Sequence, residues 1–158
     1  MRVAAARGTA FRCYARVDVE FSDGLVGVVG PNGAGKTSLI EMIHFGCAGY
    51  SPRTSTESQV IRFGSDVIRV EVDAHLRSGP VTSEVGFRPG EPKRVTVAGA
   101  PERSVAALLA RFPVLVFTPD RLRLVQGPPA LRRAWLDRAV VRLWPALGDV
   151  PAAYGRAL

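Results

Sequence analysis

A chain of 158 residues that is 47% hydrophobic and 22% charged has the length and balance of one globular domain, which excludes disordered, fibrous and collagen-like classes. Cys13 and Cys47 stand far apart with only His44 and His75 for company, so neither a disulfide framework nor a four-ligand zinc site is expected, and both cysteines read as free thiols in a reducing compartment. The net charge of +7 gathers at the ends: residues 1–16 carry four arginines and no acid, residues 17–117 sum to −1, and residues 118–158 carry seven arginines against three aspartates.

This charge pattern admits two readings. Folded onto one face, the two ends would make a basic patch for a polyanion such as nucleic acid. Equally, nineteen of the twenty-one basic residues are Arg in a chain rich in Ala, Gly, Pro and Val, which points to compositional bias. No stretch approaches about 18 consecutive apolar residues and the N-terminal run is too short for a signal-peptide core, so a cytoplasmic protein without membrane contact is expected.

In chain order, Ala15, Val17, Val19 and Phe21 alternate with Arg16, Asp18 and Glu20, which predicts a half-buried strand. Ser22–Gly24 turns the chain, and Leu25–Val29 is a short apolar run that reads as a strand covered on both faces. From Gly35 to about Gly46, Leu39, Ile40, Ile43 and Phe45 recur with helical spacing, with Gly46 as the stop. Residues 49–66 read mainly as loop. Ile68, Val70, Val72, Ala74 and Leu76, then Val81, Ser83, Val85 and Phe87, then Val95 and Val97 predict a three-stranded antiparallel meander with turns at residues 77–80 and 89–92. Ser104 is the expected N-cap of a helix over Val105–Phe112, and Val114–Phe117 reads as another short buried strand. Pro128 and Pro129 open a further helix, with a stripe of Leu136, Ala139, Val140 and Leu143 and with Arg138 and Arg142 on a flanking face. His44, Trp135 and Trp144 read as packed core residues.

The residues that carry chemistry are Gly30-Pro31-Asn32-Gly33-Ala34-Gly35-Lys36-Thr37, which satisfy G-x-x-x-x-G-K-[ST] between an expected strand and an expected helix. Glycines let successive backbone N–H groups turn inward onto a phosphate, and the positive end of the following helix favours the anion. Lys36 would neutralise the β- and γ-phosphates of ATP, and the Thr37 hydroxyl would hold Mg²⁺. The candidate cofactor-binding residues are therefore Gly30, Asn32, Gly33, Ala34, Gly35, Lys36, Thr37 and the adjacent Ser38, with ATP and Mg²⁺ as cofactors.

This loop, with Glu41 on its helix, Gly49-Tyr50-Ser51-Pro52-Arg53-Thr54 beyond it, and the later block Val116-Phe117-Thr118-Pro119-Asp120-Arg121-Leu122 with Val125, Gly127, Pro129, Arg132-Arg133 and Leu136-Asp137, resembles the ATPase head of RecF-type DNA repair proteins in the ABC/SMC superfamily. The resemblance implies an α/β P-loop NTPase head with a mixed sheet, an antiparallel β-meander and the start of a helical lobe. Residues 1–122 would form the N-terminal part of the ATPase lobe and residues 123–158 the beginning of the helical lobe. It further implies ATP-dependent dimerisation with a second copy of the head on single-stranded or gapped double-stranded DNA, with other recombination mediator proteins as partners. Asp120 takes the place of the γ-phosphate sensor, and Arg53, Thr54, Arg132 and Arg133 are candidate DNA contacts. Where the family reads Arg-Asn-Tyr, this chain has Arg12-Cys13-Tyr14. The family's signature motif and Walker B carboxylates do not occur here, and Val114–Phe117 with Asp120 is no substitute, its aspartate standing two residues late behind Pro119. Weak ATP binding without meaningful turnover is expected of these residues alone. Two other readings stay open: a small-molecule or nucleoside kinase, with Arg121, Arg123, Arg132 and Arg133 as its lid, and a DNA-binding fragment indifferent to ATP.

Overall fold

The computed structural model describes residues 1–102, 104–117, 127–144, 147, 150 and 154. They fall into two compact units, Met1–Val114 and Leu115–Leu158. In the first, β1 (Arg2–Phe11), β2 (Tyr14–Glu20), β3 (Ile68–Leu76), β4 (Gly79–Phe87), β5 (Arg94–Val97) and β6 (Ala100–Pro101) form one sheet in the order β2-β1-β3-β4-β5-β6. Helix α1 (Lys36–Ala48) packs across β1, β3 and β4, and the short α2 (Val105–Arg111) packs on α1.

The meander forms as its period-two pattern requires. Ile68 pairs with Phe87 and Leu76 with Gly79, which sends Ile68, Val70, Val72 and Ala74 inward and Arg69, Glu71 and Asp73 to the other face. Strand β1 escapes the pattern because alanine and glycine are poor strand formers. Its inward residues are Ala6, Gly8 and Ala10, and their smallness is what lets α1 lie close: a methyl group added at Gly8 would stand 2.2 Å from Met42 Sδ. Gly46 does the same from the helix side, its missing methyl leaving room for Val72 Cγ2, which would otherwise stand 2.4 Å away. Gly46 is therefore not the helix stop. Helix α1 runs to Ala48, and Gly49, at φ 75°, caps it by donating its N–H to Phe45 O at 2.8 Å. The buried Ser83 hydroxyl donates to Gly46 O at 2.7 Å, and Phe11 meets Phe45 edge-on at 5.7 Å between centroids.

His44 is buried as expected. Its Nδ1 lies 3.0 Å from Tyr50 O, an acceptor, so Nδ1 carries the proton. Ser104 caps α2, its hydroxyl accepting from Ala107 N at 3.0 Å. Both cysteines are free thiols, Cys13 exposed and Cys47 buried.

Two expected strands do not form. Leu25 and Val29 are 102% and 91% exposed, Leu115 and Phe117 are 74% and 81% exposed, and none of these residues lies in a strand. A strand covered on both faces needs neighbours at its edges and a layer on each side, and among the described residues no strand lies beside either run. The α/β class holds, but the sheet, expected from the resemblance to be mixed, is antiparallel throughout among the described residues.

Three of the four arginines in the N-terminal basic run are held in ion pairs. Arg2 pairs with Asp23, Arg12 with Glu41, and Arg7 lies 2.6 Å from Glu71, 2.7 Å from Asp73 and 3.4 Å from Asp18 on the outer sheet face. Acids distant in sequence neutralise a run that is purely basic in sequence.

In the second unit, α3 (Pro129–Leu143) begins with proline at its first turn, where a missing N–H costs nothing. Leu136 of the stripe and Trp144 are exposed within this unit and Trp135 is half-buried, so the core role expected of Trp144 is not met there. Among the described residues no helix is long and apolar enough to cross a membrane, and no three His, Cys, Asp or Glu side chains gather closely enough to hold a metal ion.

Two outcomes test this packing. Gly46→Ala should destabilise the protein by about 1–3 kcal/mol through overpacking against Val72, although alanine favours an isolated helix by about 1 kcal/mol, and a urea midpoint would register the difference. Burial pushes the Cys47 thiol up to about 12, so iodoacetamide at pH 8 should alkylate Cys13 alone in the native protein and both thiols in urea, as read by mass spectrometry.

Candidate nucleotide-binding site

The G-x-x-x-x-G-K-[ST] segment forms a tight loop that runs directly into α1. Gly33 and Gly35 stand at φ 85° and 95°, and Ala34 N donates to Pro31 O at 3.3 Å. Gly35 occupies the N-cap, and its carbonyl accepts the first helical bond, from Leu39 N at 2.9 Å. Serine, threonine, aspartate or asparagine ordinarily fill this position and satisfy the first amides of the helix with a side-chain oxygen. Here the cap has no side chain and no acid stands in the first turn. The amides at the positive end of α1 therefore lack the internal partner that most helices supply, which is the arrangement that receives an anion.

The Lys36 ammonium turns back over the loop and donates to Gly30 O and Pro31 O, each at 2.7 Å. Asn32, Gly33, Ala34 and Thr37 are exposed, while Gly35, Lys36 and Ser38 are half-buried. The residues Gly30–Ser38 named from the sequence thus lie on this loop and the first turn of α1, without the covered strand expected before them. These donors fit a polyphosphate: backbone amides, one ammonium and a hydroxyl at the second residue of α1. Mg²⁺ bound with the nucleotide would take the Thr37 hydroxyl, with phosphate oxygens and water completing its shell.

Five residues past Lys36, α1 buries a carboxylate. Glu41 is 1% exposed and accepts from Arg12 Nε at 3.0 Å and Arg12 Nη2 at 2.6 Å, from Ser51 Oγ at 2.6 Å and from Arg53 Nη1 at 3.1 Å. Burial pushes the carboxyl up, and the hydrogen bonds from Arg12, Ser51 and Arg53 outweigh it, holding Glu41 below the usual carboxylate range. A depressed folded value means that this cluster stabilises the protein at neutral pH, and that the contribution fades as pH falls through the carboxylate range. The signal for it was present in the sequence: Glu41 sits between the buried Leu39, Met42 and Phe45 on a helix, and a charge in that place needs partners. Nothing in local sequence identifies Arg12 as the partner, since 29 residues separate the two.

Arg53 and Thr54 lie in the loop after α1. Arg53 is tied to Glu41, and Thr54 Oγ1 donates to Gln59 Oε1 at 2.6 Å. Ser51 Oγ accepts from the amides of both. With Tyr50, Ser55 and Glu57 they line an open depression of about 410 Å³. Lys93, from the turn before β5, donates to Gly49 O and to Glu57 and closes the base of this loop. Arg132 and Arg133 belong to the other unit, exposed on α3, where Arg132 Nη1 donates to Gly127 O at 2.9 Å. Asp120 lies outside the described residues, as do Arg121 and Arg123.

With this geometry established, comparison with known proteins is informative. Residues 9–97, more than half of the chain, match the model of the AAA domain family. The chain is 39% identical over 153 residues to the DNA replication and repair protein RecF of Acidothermus cellulolyticus, covering 95% of this chain and 40% of that protein. It is 34% identical over its full length to the RecF of Heliobacterium modesticaldum, of which it covers 42%. It therefore spans about two fifths of the length of the curated relatives it matches. Among solved structures, the recombination mediator protein RecF with ATP superposes with a TM-score of 0.87 at 23% identity, covering 99% of this chain and 42% of that one. An SMC ATPase superposes with a TM-score of 0.70 at 20% identity, covering 87% of this chain and 98% of that one, so the fold is that of RecF and SMC heads. The resemblance to RecF proteins read from the sequence holds over the length covered, and the chain belongs to the AAA domain family.

Proposed function

We propose that this chain is the ATP-binding part of a RecF-like head that grips DNA during recombinational repair and replication. One observation carries the proposal: the amides at the start of α1, uncapped by any side chain, converge with the Lys36 ammonium on a single glycine-rich bend. Binding MgATP would exchange the carbonyl partners of Lys36 for phosphate oxygens, with Gly30, Asn32, Gly33, Ala34, Gly35, Thr37 and Ser38 lining the bend. Asp120 would sense the γ-phosphate. ATP would join this head to a second copy, because a nucleotide that touches both heads favours the dimer by its differential contacts.

The names of the relatives, DNA replication and repair proteins, support DNA as the macromolecular partner; the proposal takes that DNA as single-stranded or gapped double-stranded, met alongside other recombination mediator proteins in the cytoplasm. Arg53 and Thr54, and Arg132 and Arg133 on the other unit, are the proposed DNA contacts. Residues 1–122 would supply the N-terminal part of the ATPase lobe and residues 123–158 the start of the helical lobe.

Isothermal calorimetry tests the reading. MgATP should bind the wild-type chain with measurable heat, and Lys36→Ala should weaken binding by about tenfold to a hundredfold, since a charge-assisted hydrogen bond contributes about 1.5–3 kcal/mol. Equal affinity in both proteins, or no heat in either, would overturn it.

A further inference from the structure

The hairpin between β1 and β2 is built from residues that do not favour it. Phe11 pairs with Tyr14, which leaves Arg12 and Cys13 as a two-residue loop. Arg12 stands at φ 52°, and Ala10, two residues earlier in β1, at φ 55°. Two-residue hairpins place glycine, asparagine or aspartate at positive φ, and another residue persists there only where its surroundings hold it.

The surroundings are visible. Arg12 N donates to Val60 O and Arg62 N to Ala10 O, both at 2.8 Å, and the Arg62 guanidinium donates to Cys13 O. The Arg12 side chain is engaged at all three nitrogens, Nε and Nη2 with Glu41 and Nη1 with Gln59 O at 2.7 Å. It is a tie between the hairpin and α1. The other side of the hairpin meets the phosphate loop: a methyl group at Gly35 would stand 2.7 Å from Tyr14 Oη and 2.8 Å from Cys13 Sγ.

We propose that Arg12 and Glu41 are positioning residues for the phosphate loop: the buried carboxylate holds a strained hairpin in place so that Cys13 and Tyr14 seat Gly35 in its left-handed conformation at the start of α1. This accounts for an arginine where the backbone asks for glycine, because only a long donor side chain reaches Glu41. It also accounts for a charge buried on the inner face of α1. The inference deepens the nucleotide-binding reading and rests on it, since seating Gly35 matters only if the loop takes a phosphate.

Amide hydrogen exchange on the full chain without nucleotide, beside melting temperature and calorimetry, separates the possibilities. Arg12→Gly gives the hairpin a residue suited to its backbone but takes two donors from the buried Glu41 carboxylate, so the melting temperature should fall by a few degrees while exchange quickens several-fold at residues 13–14 and 33–37 and stays as slow as in the wild type over β3 and β4. Glu41→Gln should quicken the same two segments and leave β3 and β4 as protected as in the wild type. Both variants should bind MgATP about threefold to thirtyfold more weakly, the range expected when a residue acts through its neighbours. Unchanged exchange at residues 33–37 in Arg12→Gly, or faster exchange spread evenly over the sheet, would overturn the proposal. Should Glu41→Gln fail to fold, Arg12→Gly decides alone. Should the wild type bind no nucleotide while the two-segment pattern appears, the functional reading fails and the seating of the loop stands.

Discussion

Everything in the first unit depends on how closely α1 lies on the sheet. Gly8 on β1 and Gly46 on α1 each leave out a methyl group that would collide with Met42 or Val72, and the buried Ser83 hydroxyl bonds the helix backbone across the same interface. This approach fixes the axis of α1, and the axis fixes where its uncapped first turn points. A nucleotide site at a helix N-terminus is no more definite than the helix that carries it. Here the definition comes from packing in the middle of the helix, two turns and more from the phosphate loop.

A second constraint is electrostatic. A chain with +7 net charge folds so that its first basic run is dispersed: Arg2, Arg7 and Arg12 each find acids that are distant in sequence. Pairs on the exposed sheet face are worth little to stability. The pairing at Glu41 differs in kind, because removing one partner would leave a buried carboxylate underserved. Folding thereby turns part of a simple excess of arginine into a few specific ties.

The sequence was legible where local pattern and tertiary environment agree. Alternation over Ile68–Ala74 and Val81–Phe87 specified both strands and faces, Ser104 specified a cap, and the glycine-lysine-threonine spacing specified the loop. It was illegible where the reason for a residue lies elsewhere in the fold. Ala6, Gly8 and Ala10 look unlike a strand because they are selected by the helix above them. Gly46 looks like a terminator for the same reason, whereas the true terminator, Gly49, is recognised by its positive φ. Leu25–Val29 looks like a buried strand because its apolar residues suit one, yet pairing is a property of neighbours, and none stands beside it among the described residues. The Arg12–Glu41 tie needed the fold itself.

The resting place of Lys36 has a consequence for selectivity. With its ammonium held by two carbonyl oxygens, the loop is a closed ring with its own internal counterpart. A halide or another small monovalent ion would have to displace two good acceptors while offering one contact in return. A chain of linked phosphates presents several oxygens at once and reaches the helix amides in the same event. Under the proposed function, such a loop would favour a ligand that can replace both carbonyls together over simple monovalent anions.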